Sequence, residues 1–591
     1  MVVSLALVGG LVEGAGFLIF QEQRWLNWEM QIVPANEDLL WAAPAMNLVV
    51  FLTLAVVAMP VIGRSRRVPW TQVALTLFGS MVFYEWLAFS GRLRETGAAI
   101  LAIGAGTALG RWLGARPGVS RWCGRAAWGI TTVAVLAGVA GAGFASVGEW
   151  WRQRALPAGA PGGPNVLVIV LDTLRADRLG CYGHERPTSP FLDALAAEGA
   201  RFHRASSTSS WTLPSHASLF TGRYLHEHGA DINVPLDRSH PTLAEVFAAH
   251  GYSTGAFAAN NSVVTSSFGL TRGFQHWEGL FFGPYDAAVR TLWGRKLVKY
   301  VLHRMYVNPD LERLPAPEIN RRLLAWLDAR SERPFFAFVN YMEMHYPLAP
   351  PLEFAKQFSN QPENIARRND PFLAWPQARP PQKDPRRDRF DAYDASLAYL
   401  DAQVRDLFAN LRRRGLDRNL LVVVTSDHGE SIGEHNVAGH RNSLYPEQVQ
   451  IPLILRFPAR IKAGGVSQRP VSLRDVPATV LFLAGLDPRA LGGASLIAAD
   501  SRFSPGSSPA IAELQGTPYP GVRKDLPVAQ GWVKALATPE WYFIMQQNGK
   551  TELFAWPAHA DQPDLSDSPE GIAAVAELRK ELDNLTRAGG R

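Results

Sequence analysis

Three apolar runs rich in β-branched residues constrain the fold most strongly, because each of them leads into a side chain that can hold a metal ion. NVLVIVL (165–171) leads into Asp172, FFAFVNYMEM (335–344) leads into His345, and LLVVVTS leads into Asp427 and His428. Continuous apolar runs separated by helix-like segments are typical of buried strands in a mostly parallel sheet. Ligands of such sheets bind beyond the carboxyl ends of the strands, so we expect these side chains to converge at one edge.

A hydroxyl side chain stands at the start of a short helical run in SSWTLPSHASLFTGRYLHEHG, which covers residues 209–229. Thr212 precedes Leu213 and Pro214, and Gly222 can close the helix. As an N-cap, Thr212 would have the N–H groups and the dipole of the helix behind it, which suits an anionic substrate. Most threonines before helices are only caps, so the hypothesis of a nucleophile depends on the residues at the strand ends.

The first 150 residues contain five apolar runs, each close to the roughly 20 residues that a membrane crossing needs. They cover residues 2–20, 42–63, 73–90, 98–113 and 126–147. The loops over 64–67 and 111–125 carry only positive charges, which places them in the cytosol. The sequence therefore predicts a multi-pass protein of the cell inner (plasma) membrane, with everything after Trp150 outside the cytoplasm.

The chain of 591 residues is too long for one ordinary core, so several units are expected. We predict a transmembrane anchor over 1–150, a Pro/Gly-rich linker over 151–164, a catalytic α/β domain over 165–500 and a C-terminal subdomain over 501–591. The Pro- and Arg-rich stretch over 360–389 is interpreted either as a lid that holds anionic groups or as an insertion without structure. The formal charge of +6 is explained by the basic loops and needs no nucleic-acid partner, and two cysteines give no disulfide framework.

Four stretches together resemble the sulfatase branch of the alkaline phosphatase superfamily, from about Asn165 to the C-terminus. They are NVLVIVLDTLRADRLGCYG, TLPSHASLFTGRYLHEHG, VTSDHGESIGEHNVAGH, and SLYPEQVQIPLILRFPARI followed by VSLRDVPATVLFLAGL. The resemblance implies an α/β fold of the alkaline-phosphatase and sulfatase type. In that fold a mostly parallel sheet is sandwiched by helices, and a small C-terminal subdomain is antiparallel.

The chain departs from the usual sulfatase pattern at the nucleophile. The motif C/S-x-P-S-R begins with a residue that is oxidised to formylglycine, whereas this chain has Thr212, and His216 replaces the arginine. Threonine cannot give formylglycine, because the aldehyde requires an unbranched precursor. Further departures are Asp172-Thr173 for Asp-Asp, Asp427-His428 for Asp-Asn, and Ala259 and Asn261 for a lysine and a histidine. This set resembles instead phosphonate monoesterases, lipoteichoic acid synthases and phosphoethanolamine transferases.

The resemblance also implies a metal site. A divalent metal ion is expected to be bound by Asp172, Asp427 and His428, with Thr212 as a further ligand and as the nucleophile. Oxygen ligands with one imidazole do not distinguish Mn²⁺, Mg²⁺, Zn²⁺ or Ca²⁺.

Three further residues are expected to act on the ester. Arg223 borders the nucleophile in the family pattern, while His345 and His440 fall where relatives bind the ester and protonate the leaving oxygen. His440 replaces a frequent lysine of the family. The other histidines of the nucleophile segment are expected to support packing.

The sequence predicts a membrane-anchored, metal-dependent enzyme that cleaves or transfers a phosphoryl-type group through a covalent Thr212 intermediate. Its expected partners are membrane lipids and a phosphorylated or sulfated ester, on an envelope lipid or glycan. Two alternatives stay open: a sulfuric ester hydrolase that acts without formylglycine, and a catalytically silent relative of the same fold.

Overall fold

We describe the protein from a computed structural model of the chain. The structure describes residues 2–23, 25–26, 39–62, 69–89, 91–116, 162–232, 234–279, 290–297, 314–330, 333–363, 365, 385–504, 506, 509–516, 523–556, 558 and 562–587, and isolated positions between 118 and 157. Most of the predicted fifth span and most of the stretch over 360–389 lie outside these residues.

The strands of the described residues run along the chain in the following order. They are β1 (Asn165–Leu171), β2 (Ala200–Ser206), β3 (Ser253–Ala258), β4 (His276–Glu278), β5 (Phe335–Tyr341), β6 (Leu420–Thr425), β7 (Ser431–Ile432), β8 (Ala438–Gly439), β9 (Gln450–Ile451), β10 (Leu453–Arg456), β11 (Gly465–Ser472), β12 (Ala510–Leu514), β13 (Val533–Ala537), β14 (Trp541–Gln546) and β15 (Thr551–Ala555).

The α-helices of the described residues begin in the N-terminal part and then alternate with the strands. They are α1 (Val2–Glu22), α2 (Leu39–Ile62), α3 (Trp70–Ala88), α4 (Glu95–Gly114), α5 (Pro190–Ala197), α6 (Thr212–Thr221), α7 (Leu225–His228), α8 (Leu243–Ala249), α9 (Leu292–Leu297), α10 (Ala316–Ala329), α11 (Leu352–Phe358), α12 (Pro385–Arg413), α13 (Pro446–Val449), α14 (Val476–Leu483) and α15 (Pro569–Arg587).

The chain forms two compact units. The first comprises Met1–Arg152 and Leu280–Arg313, and the second comprises Gln153–Gly279 and Leu314–Arg591. The second unit therefore holds every strand named above. The predicted domain boundaries stay a prediction.

The second unit is built on a mostly parallel sheet, as predicted. Its strand order is β11-β2-β10-β6-β1-β5-β3-β4, with β9 paired to β2. The apolar run of β1 lies between β5 and β6 and is parallel to both. The returning strand β10 is antiparallel to β6 and to β2, and the short β9 just before it is antiparallel to β2 as well.

Helices cover both faces of this sheet, because alternate residues of its buried strands point to opposite sides. Side chains of β1, β5 and β6 pack with α5, α10 and α12 in one apolar core. On the other face, Phe338 of β5 packs edge-on against Phe220 of α6, and Phe336 stacks on Phe247 of α8. The predicted sandwich of helices around the sheet is confirmed.

A second, antiparallel sheet closes the C-terminal part, as predicted. Its strand order is β12-β13-β14-β15, and α15 packs on it through Leu578 and Leu582. Glu513 of β12 accepts a hydrogen bond from the backbone N–H of His226, at 3.1 Å, so this sheet supports the segment after α6.

The N-terminal helices correct the prediction of five spans. Two of them, Val2–Glu22 and Leu39–Ala58, are long and apolar enough to cross a membrane. Core helices of soluble proteins and signal sequences share these properties. The other two described helices are more polar: α3 contains Gln72 and Glu85, and α4 begins at Glu95 and carries Arg111. Their apolar runs have nearly the right length, but the polar side chains lower their mean hydropathy.

Candidate active site and metal centre

Two aspartates and a histidine come together at one edge of the large sheet. Asp172 follows β1 directly, and Asp427 and His428 follow β6 after one serine. Their ligand atoms all lie within 4.8 Å of one another, and the three residues have no exposed surface. Because β1 and β6 are parallel neighbours, their carboxyl ends place these side chains side by side.

Each aspartate uses one carboxylate oxygen for hydrogen bonds and keeps the other unbonded. Oδ2 of Asp172 accepts from Nδ2 of Asn260 at 3.1 Å and from Nδ2 of Asn340 at 3.4 Å. Oδ1 of Asp427 accepts from the backbone N–H of Thr173 at 3.2 Å and of His428 at 2.9 Å. Oδ1 of Asp172 and Oδ2 of Asp427 are buried and have no hydrogen-bond partner among the described residues.

The electrostatics of this pair call for a positive charge. Burial raises the pKa of Asp172, and the neighbouring Asp427 raises it further. Burial likewise raises the pKa of Asp427, whereas His216 opposes that rise. A cation against the two unbonded oxygens would compensate both effects.

His428 presents a ring nitrogen to the same candidate metal site. Its Nδ1 lies 2.9 Å from the carbonyl oxygen of Gly429 and donates to it, so Nε2 carries the lone pair. Burial lowers the pKa of His428 to about 4, which keeps the ring neutral near pH 7. Two carboxylates, a neutral imidazole and a nearby hydroxyl fit a divalent cation, and they do not select one metal.

Thr212 lies beside this cluster. Its Oγ1 is 3.2 Å from Nε2 of His428, and the residue is 1% exposed. Thr212 is the first residue of α6 and Trp211 is the N-cap, without a side-chain capping bond. The predicted capping role of Thr212 is therefore wrong, and its hydroxyl faces the histidine instead. Gly222 ends the helix with a φ of 69°, as its position predicts.

His216 stands one turn further along α6 and contacts the cluster from the side. Its Nδ1 is 2.8 Å from the carbonyl oxygen of Thr212 and 3.6 Å from Oδ2 of Asp427. The ring also packs edge-on against Phe220 and Phe338. The histidine that replaces the family's arginine is thus held between the core and the candidate metal ligands.

His345 and His440 form a pair next to His428. Their Nε2 atoms are 3.1 Å apart, so one of them donates and the other accepts. The ring of His440 lies 4.5 Å from that of His428, centroid to centroid, and stacks on Trp211. Burial, together with the neighbouring histidines, keeps the pKa of His440 well below its usual value. The structure thus brings together both histidines that the family pattern indicates.

Arg223 lies away from this group. Its Nη1 forms an ion pair with Glu227 at 3.1 Å, and its side chain is 38% exposed. None of its hydrogen bonds or ion pairs among the described residues reaches Thr212. Its predicted role beside the nucleophile stays a prediction, without a contact that carries it.

The site contains polar residues that the sequence analysis did not single out. Asn340 was counted within an apolar run, although an asparagine in a buried strand is itself a signal. Asn260 follows β3, which ends at the same sheet edge. Glu430 comes two residues after His428, is 7% exposed, and burial raises its pKa to about 7. A buried acid so close to predicted ligands could have been noticed in the sequence.

The comparisons with known proteins show the family of the chain. A family model described as Sulfatase matches residues 164–486. The chain is 28% identical over 357 residues to the uncharacterized sulfatase YidJ of Escherichia coli (strain K12), covering 57% of this chain and 71% of that protein. It is 25% identical over 414 residues to an ulvan-active sulfatase of Formosa agariphila, covering 67% and 75%.

Solved structures show the same fold. The phosphonate monoester hydrolase of Agrobacterium radiobacter has a TM-score of 0.57 at 20% sequence identity, and the match covers 72% of this chain and 96% of that chain. The phosphonate monoester hydrolase of Silicibacter pomeroyi has a TM-score of 0.55 at 22% identity, covering 72% and 96%.

Proposed function

The chain belongs to the sulfatase family, and on that premise we propose that it cleaves or transfers a phosphoryl-type group through a covalent intermediate on Thr212. As a family member it is a sulfatase-like hydrolase. The observation that carries the proposal is the 3.2 Å distance between the hydroxyl of an unmodified threonine and Nε2 of His428, inside a buried Asp, Asp, His cluster.

The chemistry follows from what each side chain can do. A divalent ion held by Asp172, Asp427 and His428 would lower the pKa of the Thr212 hydroxyl and offset the negative charge of the substrate. Thr212 releases its hydroxyl proton to solvent, and its Oγ1 forms the new bond to the central phosphorus or sulfur atom while the ester bond to the leaving alcohol breaks. Water, or an acceptor hydroxyl in a transferase, then displaces Thr212.

The leaving alcohol needs a proton as the ester bond breaks. The pair of His345 and His440 lies beside His428, and its two ring nitrogens already share a hydrogen bond. We propose that this pair binds the ester and supplies that proton.

Hydrolysis of sulfate esters by the unmodified threonine is the second candidate function. The ulvan-active sulfatase of Formosa agariphila and its 25% identity favour it. Both candidates predict a covalent adduct on Thr212, but the adduct is phosphorylated in the first and sulfated in the second.

Peptide mass spectrometry tests the proposal. Purified protein loaded with metal is incubated with phosphate diesters, phosphonate esters and sulfate esters, then quenched with acid and digested. We expect a phosphoryl-type adduct on the peptide that contains Thr212, and none in the Thr212→Val variant. A sulfated adduct alone would replace the first candidate with the second, and turnover without any Thr212 adduct would refute the covalent mechanism.

We also propose that the two apolar helices α1 and α2 anchor the protein in the cell inner membrane, with the catalytic unit outside the cytoplasm. Their length and composition support an anchor. With the basic loops in the cytosol, the outer location of the catalytic unit requires a third crossing, which the apolar run over 126–147 would supply. An envelope lipid or glycan as substrate, and membrane lipids as partners, follow from that location alone.

A further inference from the structure

A cavity of about 420 Å³ adjoins the pair of His345 and His440. Leu348 and Ile432 contribute apolar wall, and Glu430 and Arg389 contribute opposite charges. The volume lies at the lower end of the range for small-molecule sites, about 300–1,000 Å³. It suits a compact polar group and not a long hydrocarbon chain.

Glu430 is the unusual member of this lining. The residue is 7% exposed, and its Oε2 is buried without a hydrogen-bond partner among the described residues. The nearby Arg175 does not supply that partner. Its side chain donates to the backbone oxygen of Glu430 at 3.1 Å and is otherwise paired with Asp177 and Glu434. A buried carboxyl oxygen without a donor costs free energy, and a ligand that donates a hydrogen bond would recover it.

Arg389 lies at the solvent side of the same cavity. Its side chain is exposed, and its positive charge opposes the rise in pKa that burial causes at Glu430. The cavity therefore offers a carboxyl group with an unbonded oxygen in its buried part and a positive group near its opening. A ligand with a cationic hydrogen-bond donor near the ester matches the buried end of this arrangement.

Resting on the proposed function, we propose that this cavity receives the leaving alcohol of the ester and that Glu430 selects alcohols with an ammonium group a few bonds from the ester oxygen. The His345–His440 pair lines the same cavity, and the leaving oxygen is protonated there. Amino alcohols and amino sugars are the chemical class that fits. Glu430 is then a specificity-determining residue and the histidine pair is the catalytic one.

The test uses ester pairs in which an ammonium group replaces a methyl group. The 2-aminoethyl and propyl esters of phosphate, phenylphosphonate and sulfate form such pairs, and a 4-nitrophenyl ester serves as a neutral reference. For Glu430→Gln we expect kcat/KM for the aminoethyl ester to fall roughly 10- to 100-fold, as the loss of a hydrogen bond to a charged group predicts. The propyl and 4-nitrophenyl esters should change less than about 3-fold. Comparing each variant with wild type cancels the intrinsic reactivities of the esters.

Two arginine variants complete the design. Arg389→Gln removes a positive charge that competes with the ammonium group. It should therefore raise the preference for the aminoethyl ester over the propyl ester, or change it much less than Glu430→Gln does. Arg387→Gln is the matched control, since Arg387 is an exposed arginine of the same helix outside the cavity lining. Equal effects of Glu430→Gln on all esters would overturn the proposal and identify Glu430 as a structural partner of its arginine neighbours.

A binding measurement separates this inference from the proposed function. In the Thr212→Val background, calorimetry compares 2-aminoethylphosphonate with propylphosphonate, with and without Glu430→Gln. We expect tighter binding of the aminoethyl compound only when Glu430 is present, whether or not any ester is turned over. Equal binding of the two compounds in both backgrounds would refute the inference even if Thr212 forms its adduct.

Discussion

One methyl group and one hydroxyl decide the chemistry open to Thr212. The β-branch prevents oxidation to formylglycine, so the side chain must act as an alcohol. An alcohol needs activation, and the buried cluster beside it provides two carboxylate oxygens without hydrogen bonds and one neutral imidazole. These surroundings support the proposed role of Thr212 as an activated nucleophile.

Replacing Thr212 separates its hydroxyl from its shape. Thr212→Val keeps the volume and removes the hydroxyl, so we expect kcat to fall on the order of 10³-fold or more, while Thr212→Ser should stay within about 10-fold of wild type. Steady-state kinetics with the best ester measure both, and metal content by elemental analysis is the control. Equal activity of the valine variant would exclude Thr212 as nucleophile.

Asn260 is expected to position Asp172 toward the metal. Its Nδ2 donates a hydrogen bond to Oδ2 of Asp172 at 3.1 Å, so Oδ1 of Asp172 stays available for the ion. Asn260→Ala should weaken metal binding roughly 10-fold or more, as outer-sphere partners of metal ligands do. Equilibrium dialysis with Mn²⁺ and Zn²⁺ measures this without any turnover. Asn261→Ala is the matched control, because this neighbouring buried asparagine makes no side-chain hydrogen bond among the described residues.

The ends of the predicted strands were sufficient to predict the Asp, Asp, His cluster, but not the details of other residues around it. Parallel neighbours end at one edge, so Asp172, Asp427 and His428 could be placed together from sequence alone. The sequence does not show which oxygen of a carboxylate is occupied, because that depends on residues such as Asn340 in another strand. The family position of Arg223 was predicted as well, but a local partner four residues away, Glu227, holds its guanidinium.

At the scale of elements, the nucleophile helix α6 depends on a tight contact at its end. Gly222 has a φ of 69°, and a Cβ there would lie 2.0 Å from the carbonyl oxygen of Gly492. Gly222→Ala combines backbone strain with a clash against backbone, so the loop of Gly492 or the end of α6 has to move.

We therefore expect Gly222→Ala to lower the free energy of unfolding by more than Gly415→Ala does, with a difference of roughly 1–3 kcal/mol. Gly415 has nearly the same φ, 68°, and open space around its Cβ position, so it carries the strain alone. Chemical denaturation followed by tryptophan fluorescence compares the two. Equal losses of unfolding free energy in the two variants would mean that the loop of Gly492 moves away from the new methyl group without a cost in free energy.

His228 in the short helix α7 makes the free energy of unfolding depend on pH. Burial lowers the pKa of His228 to about 3, and the ring accepts a hydrogen bond from the backbone N–H of Ala230 at 2.9 Å. In the unfolded chain the His228 ring binds a proton near pH 6.5, whereas in the folded chain it stays neutral down to about pH 3. The contribution of His228 to the free energy of unfolding is therefore fully present above about pH 6.5 and is lost as the pH decreases toward 3.

His228→Gln should remove this dependence. Between pH 6 and 4 the free energy of unfolding of wild type should fall more steeply than that of the variant, by up to about 1.4 kcal/mol per pH unit. Urea denaturation at several pH values measures both slopes, and His250→Gln, on an exposed histidine, is the control. Parallel slopes would show that His228 is protonated in the folded state.

Most elements follow from the sequence, and the exceptions have physical causes. Long apolar runs gave β1, β5 and β6, because buried parallel strands need no alternation. The antiparallel direction of β10 was not foreseeable, since its run LILR resembles the parallel ones and nothing in the run itself shows its direction. The N-terminal runs were read by length alone, whereas polar residues such as Gln72 and Glu85 reduce their suitability as spans.

At the scale of the whole molecule, sequence order and spatial grouping differ. Residues 280–313 are inserted in the sequence of the second unit, yet they belong to the first unit with the N-terminal helices. The short helix α9 provides the contact, because the backbone N–H of Leu292 donates to the carboxylate of Glu13 in α1. Hydropathy could not reveal this grouping, since the partner of a buried acid can come from any part of the chain.

The membrane proposal makes a prediction about the complete chain. If α1 and α2 are spans and the catalytic unit is extracytoplasmic, an alkaline phosphatase reporter fused after Arg591 is active and a fluorescent reporter that folds only in the cytoplasm is dark. The protein should also stay in the membrane fraction after carbonate extraction, because two apolar helices of this length hold a chain by hydrophobic burial and not by charge. Introducing Arg at Val8 and at Val50, in the middle of each helix, should release the protein from the membrane, since a charge at mid-bilayer is costly. A reporter that is active only in the cytoplasm would overturn the topology, whereas a soluble protein with a processed N-terminus would show that α1 is a signal sequence.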